Sequence, residues 1–222
     1  MCKYVYDRVM KFGVDVGSAR LDDLDRQVLT YVEMRTKQGL PTTVLDVGCG
    51  AGGLALSLAR VGAVVTALDI DDYAEVISVK AEALSLPASN VIFVQSDMVS
   101  FLTQPTAVFD CVVLQRVLHY LPYDEARKVL IKLAERTTML YMAVTGITTA
   151  IAKHYSVLEL PIDQRFEILD AAGKELFSIT APVCLYSEAE IKQLLVEAGW
   201  HVTWSQVSDF GNIKIVAQIN QI

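Results

Sequence analysis

Short apolar runs alternate with amphipathic stretches along most of this chain, beginning at Thr42. Apolar runs bounded by turn residues are typical of buried strands, whereas apolar positions three and four residues apart are typical of helices. The pattern predicts strands at residues 44–48, 63–68, 91–94, 109–114 and 139–144. It predicts helices between them at residues 52–61, 73–84 and 124–134. This alternation favours an α/β fold in which a parallel sheet is covered by helices on both faces, with its ligand at the carboxyl ends of the strands.

Residues 1–40 precede this alternation and are predicted to form an N-terminal helical cap. A helix is indicated by apolar residues at helical spacing, which are Leu21, Leu24, Val28 and Val32. Ser18 is its expected N-cap, and Gly39 followed by Pro41 is expected to end it. The aromatic segment ahead of this helix either packs on the sheet or forms a lid over a substrate.

Residues 147–182 form an insertion after the fifth predicted strand. Two short apolar segments within it, residues 165–169 and 175–179, flank a stretch of turn residues at 170–173. This arrangement predicts a β-hairpin.

The end of the chain predicts a helix followed by two strands. Ser187 and Glu190 have the spacing of a capping box, and Gly199 is a typical helix stop. The segments 201–207 and 212–219 are close enough in sequence to pair as antiparallel strands.

Composition limits the classes of protein to which the chain can belong. With 222 residues, 53% hydrophobic and 20% charged, it is expected to form a single globular domain over residues 1–222. A net charge of −7 without a cluster of basic residues argues against a nucleic-acid partner. We expect no membrane span and no signal peptide, and the four scattered cysteines favour reduced thiols in the cytoplasm. The three histidines are far apart in sequence, and their spacing indicates no metal site.

A glycine-rich turn follows the first predicted strand. The sequence Gly48-Cys49-Gly50-Ala51-Gly52-Gly53 satisfies the G-x-G-x-x-G pattern of dinucleotide-binding proteins. Asp46 precedes this turn, and a carboxylate there repels a pyrophosphate. A ligand with an ammonium group, a sulfonium and no phosphate would tolerate this acid, and S-adenosylmethionine is such a ligand.

The chain resembles the class I S-adenosylmethionine-dependent methyltransferases over residues 40–146 and 183–220. The resemblance is carried, in chain order, by Asp46-Val47-Gly48-Cys49-Gly50-Ala51-Gly52, by Asp69, by Ser96-Asp97-Met98, by the stretch from Phe109-Asp110 to Leu121-Pro122, and by Glu197-Ala198-Gly199-Trp200. It implies a three-layer Rossmann-like fold with a mostly parallel seven-stranded sheet in the order 3-2-1-4-5-7-6, whose last strand is antiparallel. One departure is Glu135-Arg136-Thr137-Thr138, where the family often has a Pro-Gly-Gly turn.

The resemblance also implies roles for individual residues toward the cofactor. Gly48, Gly50 and Gly52 would pack against its methionine and ribose parts, and Asp69 would accept hydrogen bonds from both ribose hydroxyls. Asp46 would hold the amino group, with the alternative that it only fixes the turn. Ile70 and Met98 would lie on the two faces of adenine, with core packing as their alternative. Asp97 would accept a hydrogen bond from the adenine amine, and the backbone carbonyl of Gln115 would accept one from the methionine amine.

The acceptor of the methyl group is expected beyond the fourth strand. His119 is the candidate general base, with the alternative that it is packed away from the acceptor. Candidate walls of the acceptor pocket are Tyr4, Tyr6, Arg8, Arg116, Tyr120 and Tyr155. The acceptor is expected to be a small molecule, and a homodimer is compatible with this interpretation. Two other functions stay open, an NAD(P)-dependent oxidoreductase and a non-catalytic sensor or scaffold that binds S-adenosylmethionine.

Overall fold

The computed structural model of the chain describes residues 12, 21–105 and 107–219, and it is built around one seven-stranded sheet. The strands are β1 (Thr42–Val47), β2 (Ala63–Asp69), β3 (Val91–Gln95), β4 (Cys111–Gln115), β5 (Met139–Thr145), β6 (His201–Val207) and β7 (Asn212–Gln218). Their order across the sheet is β3-β2-β1-β4-β5-β7-β6. Strands β1 to β5 pair in parallel, whereas β7 runs antiparallel to both β5 and β6. The predicted strand order and the antiparallel last strand are confirmed.

The described part of the chain contains seven α-helices. They are α1 (Asp23–Lys37), α2 (Gly53–Arg60), α3 (Ala74–Ala83), α4 (Met98–Thr103), α5 (Tyr123–Ala134), α6 (Ala171–Phe177) and α7 (Glu188–Glu197). The capping box predicted at Ser187 and Glu190 begins α7. Helix α1 begins later than predicted, because its N-cap is Asp22, whose side chain accepts from Leu24 and Asp25 amides. The expected N-cap, Ser18, lies outside the described residues.

The core consists of two apolar layers, one on each face of the sheet. Successive residues of a strand point to opposite faces, so that Val44 of β1 lies in one layer and Leu45 in the other. The Val44 layer takes side chains from α1, α2 and α3, such as Val28. The Leu45 layer takes side chains from α4, α5 and α7, such as Leu130. The two layers hold the carboxyl ends of β1, β2 and β4 at one edge, where the site lies.

The insertion at residues 147–182 contains a short helix instead of the predicted hairpin. The side chain of Asp170 accepts a hydrogen bond from the Gly173 amide at 2.7 Å and caps the start of α6. The predicted turn is therefore a helix N-terminus, since aspartate followed by small residues suits both structures. Antiparallel bridges do form in this region, but they join Glu167 to Val183 and Phe12 to Ile179.

Both ends of the insertion are fixed at the end of β5. Gly146 bridges Tyr186, the Ile147 amide donates to the Tyr186 carbonyl at 2.9 Å, and the Tyr186 amide donates to the Thr145 carbonyl at 3.2 Å. A third apolar cluster, separate from the two core layers, fills the insertion with Ile151, Tyr155, Leu169, Ile179, Val183 and Leu185. In the part of the chain that the structure describes, no helix has the length and apolar character needed to cross a membrane.

Candidate functional site

The glycine turn connects β1 to α2 at the carboxyl edge of the sheet. Gly48, Gly50 and Gly52 have φ values of +71°, +51° and +77°, which is the left-handed region that favours glycine. The Gly48 amide donates to the Leu68 carbonyl of β2 at 2.8 Å. A Cβ atom on Gly48 would lie 2.2 Å from Cγ2 of Val117, so the backbone passes very close to the chain that leaves β4. The turn therefore needs glycine for its conformation and for its close packing.

Lys80 of α3 is a further contact of this turn, and sequence reasoning did not find it. Its Nζ donates a hydrogen bond to the Ala51 carbonyl at 2.8 Å. Nothing in the local sequence indicates this contact, because it depends on how α3 lies beside α2.

Asp69 lies at the end of β2, directly against the glycine turn. Its Oδ2 accepts a hydrogen bond from the Gly50 amide at 2.8 Å, and its Oδ1 accepts one from the Asp71 amide at 3.1 Å. Burial raises the pKa of this carboxyl group. A carboxylate has about four acceptor positions, so two amides leave room for two hydroxyl donors. Asp69 can therefore accept hydrogen bonds from two ribose hydroxyls, which is the role that the resemblance implies for it.

The other cofactor candidates also lie at or near the ends of their strands. Asp46 in β1 is buried, with 4% exposure, and Ile70 after β2 is half exposed. Asp97 is exposed and caps α4, where its side chain accepts the Ser100 amide at 2.8 Å. Hydrogen bonds from Ser100 lower the pKa of Asp97. Met98 is partly buried against the core layer of Leu45. The contacts of these residues with a cofactor stay predictions.

The exit from β4 is connected to the start of helix α1. The Gln115 side chain donates to Oδ1 of Asp25, a buried residue that the sequence analysis did not single out. Oδ2 of Asp25 accepts the Asp22 amide at 2.7 Å, which completes the capping box of α1. Burial raises the pKa of Asp25. Its distance in sequence from Gln115 explains why the pattern did not reveal this pair.

His119 lies in a short 3₁₀ helix after β4 and is only 2% exposed. Its Nε2 lies 3.3 Å from Oγ1 of Thr145, at the end of β5, and its Nδ1 has no hydrogen-bond partner among the described residues. Burial, followed by the positive charge of Arg116, lowers the pKa of His119 to about 3. The imidazole is therefore neutral at pH 7.

Tyr120 connects this exit to the N-terminal part of the chain and to the insertion. Its hydroxyl donates to the Phe12 carbonyl at 2.6 Å, and the two rings meet edge to face with centroids 4.9 Å apart. Its ring centroid is 4.2 Å from that of His119. Tyr120 also packs against the apolar cluster of the insertion. Three distant segments of the chain thus meet beside the end of β4.

The remaining acceptor candidates divide into two groups. Tyr155 is buried in the insertion, where its hydroxyl donates to the Val183 carbonyl at 3.0 Å. This gives Tyr155 a structural contact, and its role as a pocket wall stays a prediction. Tyr4, Tyr6 and Arg8 lie outside the described residues.

Comparison with known proteins identifies related sequences. Residues 44–138 match the family model described as "Methyltransferase domain". Magnesium protoporphyrin IX methyltransferase of Arabidopsis thaliana is 31% identical over 206 residues, which cover 89% of this chain and 58% of the plant protein. Ubiquinone biosynthesis O-methyltransferase of Serratia proteamaculans is 36% identical over 94 residues, covering 42% of this chain and 38% of the relative. The chain therefore matches less than two thirds of the length of these relatives.

Solved structures share the fold over nearly the whole chain. Magnesium protoporphyrin IX methyltransferase from Synechocystis PCC 6803 with bound SAH has a TM-score of 0.63 at 20% identity, covering 91% of this chain and 90% of that one. The 1,6-didemethyltoxoflavin-N1-methyltransferase of Burkholderia thailandensis has a TM-score of 0.65 at 19% identity, covering 93% of this chain and 82% of that one. At these identities the likeness shows a common fold.

Proposed function

We propose that this chain, which carries a class I S-adenosylmethionine-dependent methyltransferase domain, transfers a methyl group from S-adenosylmethionine to a small-molecule acceptor. The observation that carries this proposal is the hydrogen bond between the Gly50 amide and the Asp69 carboxylate, 2.8 Å long. It places an acid suited to a ribose diol against a turn whose glycines let the backbone approach a ligand closely.

The cofactor would lie across the ends of β1, β2, β3 and β4. Gly48, Gly50 and Gly52 would contact its methionine and ribose parts, and Asp69 its ribose hydroxyls. The remaining contacts that we propose are Asp46 and the Gln115 carbonyl with the amino group, Asp97 with the adenine amine, and Ile70 and Met98 with the adenine faces. The bound cofactor supplies an electrophilic methyl group on its sulfonium. The protein's task is then to orient the acceptor and to exclude water.

A small molecule is the acceptor class that the relatives support. Magnesium protoporphyrin IX and ubiquinone biosynthesis, which appear in the names of two relatives, both concern small molecules, and the second relative is named as an O-methyltransferase. We therefore propose that oxygen is the atom methylated here.

His119 is the residue that we propose as the proton acceptor. Its Nδ1 is buried without a partner among the described residues, and its pKa of about 3 makes it a weak base, so it would take a proton only from an acceptor atom that methyl transfer has made strongly acidic. The Thr145 hydroxyl beside Nε2 would hold the ring in place. Tyr120 and Arg116 flank the same exit from β4 and would contact the acceptor.

Isothermal titration calorimetry with S-adenosylmethionine, S-adenosylhomocysteine and NADH tests the proposal. We expect the first two ligands to bind, and Asp69→Ala to weaken both by about 1–3 kcal/mol, the usual loss for a charge-assisted hydrogen-bonding group. The matched control is Asp71→Ala, because Asp71 is exposed and offers only its backbone amide to this network. Binding of NADH without binding of the adenosyl ligands would refute the methyltransferase assignment. Unchanged affinity in Asp69→Ala would refute the ribose contact alone.

A further inference from the structure

Arg116 has an unusual backbone conformation for its residue type. Its φ is +56°, in the left-handed region, and its amide donates to the Ala143 carbonyl of β5 at 2.7 Å. The two other described non-glycine residues with positive φ, Ser85 and Ser178, follow the ends of α3 and α6, where this conformation is common. Arg116 instead follows a strand. Such strain costs about 1–3 kcal/mol and concentrates at functional sites.

The guanidinium of Arg116 also lacks an acceptor within the described part of the chain. The other described arginines have a carboxylate or carbonyl oxygen in reach, with the exception of Arg60, which is exposed. Arg116 is partly buried. Partial burial of an unpaired charge is unfavourable, so a ligand that brings a negative group into this region would be favoured as the partner of this guanidinium.

The charge of Arg116 lies among the residues that flank the exit from β4. Burial is the first cause of the lowered pKa of His119, and the positive charge of Arg116 is the second. The same charge partly offsets the rise that burial causes in the pKa values of Tyr120 and Asp25. Asp25 attracts this charge, but no ion pair joins the two residues in the described part of the chain, where the Asp25 carboxylate accepts from the Asp22 amide and from Gln115. A cation is thus available beside His119, in the region proposed for the acceptor.

We propose that Arg116 binds a carboxylate group of the methyl acceptor, so that the acceptor is a small organic acid. This inference rests on the proposed function, because it places the acceptor at the exit from β4. A guanidinium suits a carboxylate because its planar fork can donate two parallel hydrogen bonds. A bound carboxylate would also offset the positive charge beside His119 and so make the imidazole a stronger base.

A carboxylate at Arg116 has two possible sources, the acceptor and the methionine part of the cofactor. The affinity of the protein for S-adenosylhomocysteine distinguishes them, because this ligand carries the cofactor carboxylate but no acceptor. If Arg116 binds the acceptor, Arg116→Gln leaves this affinity nearly unchanged. A loss of about tenfold or more, as expected for a charge-assisted hydrogen bond, would assign the carboxylate to the cofactor and overturn the proposal.

The acceptor is probed with matched pairs of a carboxylic acid and its amide, such as 4-hydroxybenzoate with 4-hydroxybenzamide and 3-(4-hydroxyphenyl)propionate with its amide. Thermal shift of the full chain is measured with each compound in the presence of saturating S-adenosylhomocysteine. We expect at least one acid to raise the melting temperature more than its amide. This preference should disappear in Arg116→Gln and persist in the control Arg60→Gln, which removes an exposed arginine that has no acceptor among the described residues.

Two results would overturn the inference. One is the absence of any preference for acids over amides in the wild-type protein, and the other is a preference that persists in Arg116→Gln. Failure of the wild-type protein to bind S-adenosylhomocysteine would instead refute the proposed function, so the two failures are distinguishable.

Discussion

The burial of His119 predicts a specific loss of stability in acid. The imidazole has an ordinary pKa of 6.5 and a pKa of about 3 in the folded protein, because burial and the charge of Arg116 disfavour its protonated form. A group whose pKa is lowered by folding contributes stability above its unfolded pKa. This contribution is lost as the pH falls toward the folded pKa. The loss should therefore extend over the range from pH 6.5 down to about pH 3.

The size of this effect follows from the two pKa values. At about pH 4.5 the unfolded chain protonates this residue, whereas the folded protein keeps it neutral. Each pH unit below the unfolded pKa costs about 1.4 kcal/mol, so moving from about pH 7 to about pH 4.5 should cost about 2.5 kcal/mol at this site. That is a substantial part of the roughly 5–15 kcal/mol by which proteins are stable.

Urea unfolding of the wild type and of His119→Gln, near neutral pH and again in mild acid, measures this cost. The wild-type protein should lose about 2.5 kcal/mol more than the variant between the two conditions, whatever the absolute stability of the variant. His201→Gln is the matched control, because it makes the same substitution at an exposed histidine of β6. An equal loss in the wild type and in His119→Gln would show that His119 is protonated as easily in the folded state as in the unfolded chain, and the reasoning from burial would be wrong.

Two further predictions concern the same edge of the sheet. Gly48→Ala should lower stability by about 1–3 kcal/mol and abolish measurable cofactor binding, because its Cβ would lie 2.2 Å from Cγ2 of Val117 at a positive φ. The double variant Gly48→Ala with Val117→Ala should recover part of the melting temperature. A Gly48→Ala variant as stable as the wild type would contradict the geometry. His119→Gln should keep the wild-type affinity for S-adenosylhomocysteine but reduce methyl transfer by roughly tenfold or more, less than the usual 10²-fold of a general base because its pKa of about 3 makes it a weak one. This loss is measured with methyl-labelled cofactor and a small-molecule extract, and undiminished transfer would remove His119 from the proposed mechanism.

Most of the sheet and its helices could be predicted because their signals are local. The apolar runs of β1 to β5 and the amphipathic stretches between them carry the periods of strands and helices, and the capping box at Ser187 and Glu190 lies within four residues. Errors arose where one local pattern suits two structures. Asp170 followed by small residues fits a hairpin turn and a helix N-cap equally well, and the choice depends on packing within the insertion. Helix α4 is not predicted, because its six residues span fewer than two turns and give too short a periodic signal.

Some residues of the candidate site could likewise be predicted from the sequence, and others could not. The glycine turn and Asp69 could be found from sequence, because residues at the ends of adjacent parallel strands must lie together. The contacts of Lys80 with Ala51 and of Gln115 with Asp25 could not be found, since each joins residues from separate parts of the fold. The burial of His119 could not be predicted either, because it depends on side chains that come together only when the insertion packs beside β4 and β5.

The closed base of the insertion has a consequence for how this protein can change. Because Ile147 and Tyr186 are hydrogen-bonded to each other, the chain leaves the sheet and returns to it at nearly the same place. The entropy of closing such a segment grows only slowly with its length, by about 0.6 kcal/mol for each doubling. Exposed residues can therefore be added, removed or exchanged between these two positions while the register of β5 with β7 is preserved. If Tyr155 lines the acceptor pocket, as the sequence predicts, new acceptor preferences could evolve through this segment independently of the glycine turn and Asp69, which are contributed by a different stretch of the chain.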